Sequence, residues 1–236
     1  MAGKINGMFS KIYQEYDFMN HLFSFNFDKL WRGSAARDAM IPKRRFSVLD
    51  VDAGTGDLSI AVERAARAEG RKADIIAYDF NKDMLAVARE KFDVHGAGDI
   101  RTEIGSAFRI KHPRGSFDVI TSGFALRSFV NSRNGRADLQ RFLSESYRVL
   151  KPGGRIVLLD MAMPDDVPQR AFFSAYSMVM LFLGSFVDKD TYAWLVRTIK
   201  AFDKRELLGM MKSTGFKKVG IRSLISGIAF IAYAER

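Results

Sequence analysis

The 236-residue sequence contains no cysteine, which excludes disulfide bonds, thiolate nucleophiles and cysteine-ligated metal centres. Histidine is also scarce. The three histidines, His21, His95 and His112, are too far apart along the chain to form the closely spaced pair of a helical zinc site. We therefore expect no metal cofactor.

The sequence also lacks an apolar run suited to crossing a membrane. The longest run, residues 171–187, is marginal in length and includes serine, tyrosine and glycine, so we interpret it as a buried or interfacial helix. Charged residues at Lys4, Lys11, Glu15 and Asp17 interrupt any secretory leader. Together these features predict a cytoplasmic protein.

Acidic residues are outnumbered, and the formal net charge is +10. Such a surplus favours solubility, attraction to an anionic membrane or attraction to nucleic acid. The basic residues are spread along the chain, with their densest cluster at Lys43, Arg44 and Arg45. Peripheral contact with the inner face of an anionic membrane stays open. Nucleic acid is the least favoured partner, because no aromatic-and-basic recognition motif is present.

Short apolar runs alternate with helical segments through most of the chain. Strands are predicted at 46–51, 74–79, 100–105, 117–124, 155–160, 217–223 and 227–234, with a turn at 151–154. Helices are predicted at 57–69, 82–92, 139–150, 171–183, 190–200 and 204–213. The alternation predicts an α/β fold: a doubly wound, mostly parallel sheet that binds its ligand at the carboxyl ends of the strands.

The strongest functional signal is the turn after the first strand, where Gly54 and Gly56 permit a sharp turn and close approach of a ligand. Ser59 stands where a dinucleotide-binding loop needs glycine or alanine, so the pattern does not fit a NAD site. The same turn is crowded by three carboxylates: Asp50, Asp52 and Asp57. They would repel a pyrophosphate but suit a ligand that carries an ammonium and a sulfonium, which favours S-adenosylmethionine.

A second signal is Asp79, which ends the next predicted strand. A carboxylate at this position can accept hydrogen bonds from both ribose hydroxyls. Asp79 could instead cap the helix that begins near Lys82. In register with the glycine turn, it strengthens the prediction of an S-adenosylmethionine site that releases S-adenosylhomocysteine as product.

These residues resemble the class I methyltransferases, which have a Rossmann-like fold. The resemblance is carried by the turn at 50–57, Asp79 with Met84 and Leu85, Phe117 with Asp118, and the segment 148–154. A narrower resemblance, to the ubiquinone/menaquinone biosynthesis C-methyltransferase family, covers almost the whole chain. It rests on the following positions: Phe9, 16–20, Trp31, Arg32, 124–127, Tyr192, Gly215, Phe216 and 224–228.

The resemblance implies methyl transfer from S-adenosylmethionine to a ring carbon of a reduced, prenylated quinone such as demethylmenaquinol. It places Thr55 and Asp57 at the methionine end of the cofactor and Asp79 at the ribose. Ser106 and Ala107 would flank the adenine, and Gly123 would lie near the sulfonium. The remaining cofactor-binding candidates are Asp50, Asp52, Gly54, Gly56, Phe80 and Met84.

Three residues are candidates for the chemistry at the acceptor. The resemblance implies that Arg127 faces the quinol, where it would stabilise a phenolate, although a structural salt bridge explains this arginine equally well. His21, Tyr16 or a bound water would accept the proton. An ordinary surface or capping role is the alternative for His21.

We expect one domain over 1–236, made of an N-terminal helical cap (1–45), a cofactor-binding core (46–160), a helical lid (161–202) and a C-terminal helix with strands (203–236). A homodimer is left open. Methionine and phenylalanine in the cap and lid would line an apolar channel for the acceptor, although packing on the sheet explains any one of them: Phe18, Met19, Phe23, Phe25, Phe172, Phe173, Met178, Met180 and Phe182.

Four positions depart from the family pattern. Asp52 replaces a small residue, Ser106 replaces aspartate or asparagine, Gly123 replaces serine or alanine, and Ser128 replaces asparagine. Two alternatives stay open: a methyltransferase that acts on RNA or another polar molecule, which the net charge permits, and a non-catalytic adenosyl-binding relative, which Asp52 and Ser128 suggest.

Overall fold

A computed structural model describes residues 26–184, 189–224 and 227–236, and within these ranges it contains seven strands and eight helices. In chain order they are α1 (Phe27–Asp38), β1 (Arg45–Val51), α2 (Asp57–Ala68), β2 (Lys72–Asp79), α3 (Lys82–Val94), β3 (Arg101–Ile104), β4 (Phe117–Gly123), α4 (Leu126–Val130), α5 (Arg136–Val149), β5 (Leu150–Met161), α6 (Val167–Gly184), α7 (Lys189–Ala201), α8 (Lys204–Thr214), β6 (Lys217–Ser223) and β7 (Ala229–Glu235).

The strands form one sheet in the order β3-β2-β1-β4-β5-β7-β6. Strands β1 to β5 are parallel to their neighbours, whereas β7 runs antiparallel to both β5 and β6. The prediction of a doubly wound, mostly parallel sheet is confirmed. The strand order reverses between β1 and β4, and a crevice at such a switch point is where sheets of this kind bind their ligands.

Apolar residues on both faces of the strands explain why helices pack on both faces of the sheet. On β1, Leu49 and Val51 belong to one buried cluster, while Phe46 and Val48 belong to the other. Helices α1, α2 and α3 contribute to the second cluster, and α4, α5 and α8 contribute to the first. The alternation therefore places two cores around one sheet.

Two segments differ from the prediction. The predicted turn at 151–154 lies within β5 as an irregularity, because Leu150 pairs with Phe117 and Arg155 with Val119. A Cβ at Gly154 would lie 2.9 Å from the carbonyl oxygen of Asp118, so glycine lets the irregular segment stay against β4. Helix α4 was not predicted, because its five residues are too few to show a helical period.

Helices α6 and α7 follow the carboxyl end of β5 and correspond to the predicted helices at 171–183 and 190–200. Phe173 on α6, Ile199 on α7 and Ile228 form a small buried cluster. Phe172 and Met178 on α6 are exposed. In the part of the chain that the structure describes, no helix is long and apolar enough to cross a membrane.

Candidate functional site

The turn between β1 and α2 has the left-handed backbone that its glycines predicted. Its φ angles are 57° at Asp52, 56° at Gly54 and 82° at Gly56. A Cβ at Gly56 would lie 2.4 Å from the Phe92 ring, whereas a Cβ at Gly54 would meet nothing within 4 Å. Gly56 is therefore needed for packing as well as for backbone conformation, and the space beside Gly54 is open to a ligand.

Asp79 ties the end of β2 to this turn. Its carboxylate accepts hydrogen bonds from the backbone amides of Gly54 and Asn81, each at 2.8 Å. Burial raises the pKa of Asp79, and these amide bonds oppose that rise. A carboxylate can accept about four hydrogen bonds, so these amides leave acceptor capacity that a ribose hydroxyl could use.

The alternative that Asp79 caps the following helix is wrong. The cap of α3 is Asn81, whose side chain accepts hydrogen bonds from the backbone amides of Asp83 at 2.9 Å and Met84 at 3.3 Å. An asparagine directly before a helix is a known capping signal, so the sequence contained the means to identify it.

Asp50 supports the turn from within the protein. The side chain is fully buried and accepts hydrogen bonds from Ser59 Oγ at 2.6 Å and Thr121 Oγ1 at 2.8 Å. Burial raises the pKa of Asp50 to about 6 despite these hydroxyl donors. Asp50 therefore links β1 to α2 and β4 rather than presenting its carboxylate at the surface.

Asp52 has a different environment from Asp50. Its side chain is half-buried, and no described residue donates a hydrogen bond to its carboxylate or forms an ion pair with it. Burial raises the pKa of Asp52, and the negative charges of Asp79 and Asp50 raise it further. The carboxylate is therefore suited to a cation that comes from outside the described residues.

Asp57, the first residue of α2, is held by two cations. Lys91 from α3 forms an ion pair with it and also donates to Thr55 Oγ1 at 3.2 Å. Arg32 from α1 lies 3.5 Å from Asp57, and its guanidinium is 5.2 Å from the centre of the Phe124 ring. The motif residues Arg32, Asp57 and Phe124 therefore meet, whereas no sequence signal indicated Lys91.

The remaining cofactor candidates lie at the carboxyl ends of neighbouring strands. Phe80 follows β2 and is 52% exposed, whereas Met84 is buried. Ser106 is half-buried beyond β3 and its Oγ accepts a hydrogen bond from the backbone amide of Phe108 at 3.2 Å; Ala107 beside it is buried. Gly123 ends β4, and a Cβ there would lie 3.2 Å from Leu58. The strand order brings these residues to one edge of the sheet.

Arg127 is in the buried salt bridge that the sequence left open as an alternative. Its Nε lies 2.5 Å from Asp160 Oδ1, and its backbone amide donates to Asp160 Oδ2 at 3.2 Å. Its Nη1 donates to Thr198 Oγ1 at 3.4 Å. The arginine therefore connects α4 to β5 and to α7.

Several predicted residues lie outside what the structure describes. Tyr16 and His21 are among them, as are the cap residues Phe18, Met19, Phe23 and Phe25 and the side chains of Met180 and Phe182. Among the described residues, no group of three or more histidine, aspartate or glutamate side chains is arranged to hold a metal ion.

The basic cluster before β1 is partly neutralised within the protein. Lys43 lies 2.5 Å from Asp118, and Arg45 lies 2.6 Å from Asp74. Burial acts to raise the pKa of Asp118, but hydrogen bonds from Lys151 and Lys43 hold that pKa well below its usual range. The cluster lies at the amino ends of the strands, opposite the glycine turn.

The profile of the ubiE/COQ5 methyltransferase family matches residues 2–236. The chain belongs to this family. This member is 36% identical over 236 residues to a demethylmenaquinone methyltransferase of Thermus thermophilus, covering 97% of this chain and 100% of that protein. It is 33% identical over 230 residues to a demethylmenaquinone methyltransferase of Oceanobacillus iheyensis, covering 96% and 92%. A ubiquinone/menaquinone biosynthesis C-methyltransferase of Methylobacterium nodulans is 35% identical over 235 residues, covering 97% and 89%.

Solved structures support the fold of this methyltransferase. A putative O-methyltransferase from Nostoc punctiforme aligns with a TM-score of 0.66 at 19% identity, covering 97% of this chain and 60% of that one. An S-adenosylmethionine-dependent methyltransferase from Thermotoga maritima aligns with a TM-score of 0.64 at 15% identity, covering 97% and 98%. At these identities the likeness concerns the fold alone, which is the Rossmann-like fold of class I methyltransferases.

The family makes the protein an S-adenosylmethionine-dependent methyltransferase, and the residues of the turn fit that cofactor. Asp79 keeps acceptor positions for a ribose, and the space beside Gly54 is open. The half-buried carboxylate of Asp52 has no cationic partner among the described residues. An anionic ligand would meet unfavourable charge here, whereas a cationic sulfonium would be attracted.

Proposed function

We propose that this methyltransferase methylates a ring carbon of a reduced, prenylated quinone similar to demethylmenaquinol. The observation that carries the proposal is an apolar layer at the carboxyl end of β5, beside the cofactor edge. Its partly exposed members are Met161, Met163, Tyr176 and Leu195, which pack on the buried side chains of Phe173, Ile199 and Ile228. An isoprenoid tail needs such a layer, and the names of the relatives support the same acceptor.

For the cofactor, we assign Thr55 and Asp57 to the methionine end and Asp79 to the ribose. Ser106 and Ala107, with Phe80 and Met84, form the adenine side, and the exposed Phe80 ring offers a flat surface to a base. Gly123 would lie near the sulfur. Asp50 acts through the turn that it supports, since its carboxylate is occupied by Ser59 and Thr121.

At the acceptor, the cofactor supplies a methyl group already activated on a sulfonium. The protein must then align the ring carbon, exclude water and accept the proton that this carbon loses. Tyr16 and His21 are the proposed proton acceptors. Arg127 is paired with Asp160, so we assign it to holding α4 against α7 rather than to stabilising a phenolate as a free cation.

Residues 161–202 are proposed to be a lid over this edge, with residues 1–45 as a cap. The lid also offers a surface for peripheral contact with an anionic membrane. On α6, Val167, Phe172 and Met178 are exposed, and Arg197 and Lys200 are exposed on α7. Apolar and basic side chains together suit an anionic lipid surface, from which a prenylated quinol would be delivered.

The test is transfer of labelled methyl from S-adenosylmethionine to a chemically reduced short-chain demethylmenaquinone, read as label in the organic phase. Label is expected only with the reduced acceptor. Asp79→Asn should lower cofactor affinity and transfer together, because the amide presents an N–H where the ribose hydroxyls need an acceptor. Asp99→Asn is the matched control, since Asp99 is exposed and pairs with Lys72 at the opposite edge of the sheet.

Two results would contradict the proposal in different ways. If S-adenosylhomocysteine binds but no label is transferred to any reduced quinone, the cofactor site stands and the acceptor is wrong. If label enters RNA or a polar small molecule instead, the quinol acceptor is wrong and the apolar layer does not bind an isoprenoid tail.

A further inference from the structure

Four carboxylates surround the cofactor turn, and described residues provide hydrogen-bond or cationic partners for three of them. Asp50 receives two hydroxyl groups, Asp79 receives backbone amides, and Asp57 pairs with Lys91 and Arg32. Only the carboxylate of Asp52 receives no hydrogen bond or cation from any residue in the described ranges. The carboxylate of Asp52 is therefore available to a group outside the described residues.

The backbone of Asp52 has a conformation that residues other than glycine rarely adopt. Its φ of 57° lies in the left-handed region, which glycine adopts readily and which aspartate tolerates better than most residues. Ala53 and Gly54, which follow it, donate to the carbonyl oxygen of Tyr78 and to the carboxylate of Asp79. These bonds fix the residue between the end of β1 and the ribose-binding aspartate.

The surroundings of Asp52 favour a cation. Its carboxylate is half-buried and close enough to Asp79 and Asp50 for both to raise its pKa, after burial itself. No described cation balances it, since Lys91 and Arg32 are directed to Asp57. A positive charge brought beside Asp52 would therefore be stabilised more strongly than in water.

We propose that Asp52 is the charge-selecting residue of the cofactor site, which favours the sulfonium donor over the neutral thioether product. S-adenosylmethionine and S-adenosylhomocysteine share the ribose, the base and the amino-acid group. They differ by one methyl group and one positive charge at sulfur. Both ligands carry the same ammonium, so a carboxylate near the sulfur would distinguish them only through the sulfonium charge. Methyl transfer removes that charge and with it the additional attraction, which promotes product release.

The proposal rests on the cofactor site and not on the acceptor, so binding measurements test it without turnover. Dissociation constants for S-adenosylmethionine and S-adenosylhomocysteine are measured by calorimetry on the full chain, for the wild type and Asp52→Asn. The variant should lose about tenfold in affinity for the donor and much less for the product. Sinefungin, which carries an amine beside the sulfur position, should follow the donor.

Two further variants distinguish the effect of the Asp52 charge from a change in backbone conformation and from a change in net charge elsewhere. Asp52→Gly also removes the charge but suits a φ of 57°, so it should reproduce the selectivity of Asp52→Asn with unchanged or higher thermal stability. Asp99→Asn removes one negative charge at the opposite edge of the sheet and should leave the affinity ratio unchanged.

The outcomes are distinct. A larger loss for donor and sinefungin than for product, in both Asp52 variants, supports charge selection. Equal losses for donor and product would overturn it, since they would show that Asp52 contacts the amino-acid group that both share. Unchanged affinities in both variants would also overturn it.

Discussion

At the scale of single residues, the cofactor turn gives chemically identical carboxylates different tasks. Asp50 has hydroxyl partners, Asp57 has cations and Asp79 has backbone amides. Neutral donors leave a carboxylate's charge in place, whereas cations cancel it. The turn is therefore held together largely without cancelling the negative charge that a cationic ligand requires.

Asp50 makes folding stability depend on pH. Its pKa is raised by burial from 3.8 to about 6, so the folded state holds a proton that the unfolded state releases. The resulting stabilisation is present below pH about 4 and is lost as the pH rises to about 6. Relative to Asp50→Asn, the wild type should lose about 2 kcal/mol of unfolding free energy between pH 4 and 7.

Urea unfolding of both proteins at several pH values measures this difference. Other titrating groups are common to the two proteins, so their contribution cancels in the comparison. A pH-independent difference between wild type and Asp50→Asn would show that Asp50 is ionised throughout this range.

At the scale of elements, the pair of Arg127 and Asp160 joins α4 and β5 to α7. The guanidinium is buried, contacts β5 through Asp160 and reaches Thr198 on α7. Removing one member of a buried pair leaves an uncompensated charge, which is more destabilising than replacing both. An arginine that acts only on the substrate could be replaced without this loss of folding stability.

Arg127→Met should therefore destabilise the protein by about 3–5 kcal/mol in urea unfolding, because it strands the buried carboxylate of Asp160. The double variant Arg127→Met with Asp160→Asn should recover much of this loss. A single variant with unchanged stability and reduced methyl transfer would instead restore Arg127 to the acceptor site.

The sequence predicted the main elements because their signals are local. Apolar runs and glycines gave β1, β2 and the turn at Gly54 and Gly56, and all have the expected place. Local signals also explain the two errors. Helix α4 is too short to show a helical period in its sequence. The segment after Leu150 has the sequence of a turn, but pairing with β4 keeps it within β5.

Contacts within the site were less predictable than the elements. Lys91 reaches Thr55 and Asp57 across more than thirty positions, and Arg127 pairs with Asp160 over a similar separation. Charged residues on helices are common, so no pattern in one sequence selects these pairs. The position of Asp79 at the end of β2 was predictable, because the apolar run before it defines that strand.

At the scale of the whole molecule, some basic residues are paired with acidic side chains and others are exposed to solvent. The cluster at Lys43 and Arg45 is engaged by Asp118 and Asp74, whereas Arg197 and Lys200 are exposed on α7. This distribution supports the proposal that the edge with α6 and α7, rather than the opposite edge, would meet an anionic membrane.

Sedimentation with vesicles tests this surface. The protein should bind vesicles that contain phosphatidylglycerol and bind phosphatidylcholine vesicles weakly, with binding reduced by salt. Phe172→Glu should weaken binding at least several-fold, because it places a negative charge on the exposed apolar face. Lys72→Gln, at the opposite edge, is the matched control, because it also lowers the net charge by one unit. Equal binding by the two variants would rule out the α6 face.

The position of β7 has a consequence for synthesis of the protein on the ribosome. This strand lies between β5 and β6, although it follows both in the chain. In the described sheet β6 has β7 as its only neighbour, so it has no partner while residues 229–235 are still inside the exit tunnel. The parallel strands can pair during elongation. The edge of β5 that later pairs with β7 stays unpaired until β7 leaves the tunnel and inserts between β5 and β6. The nascent chain therefore depends on protection of that edge for longer than one in which strands are added in order.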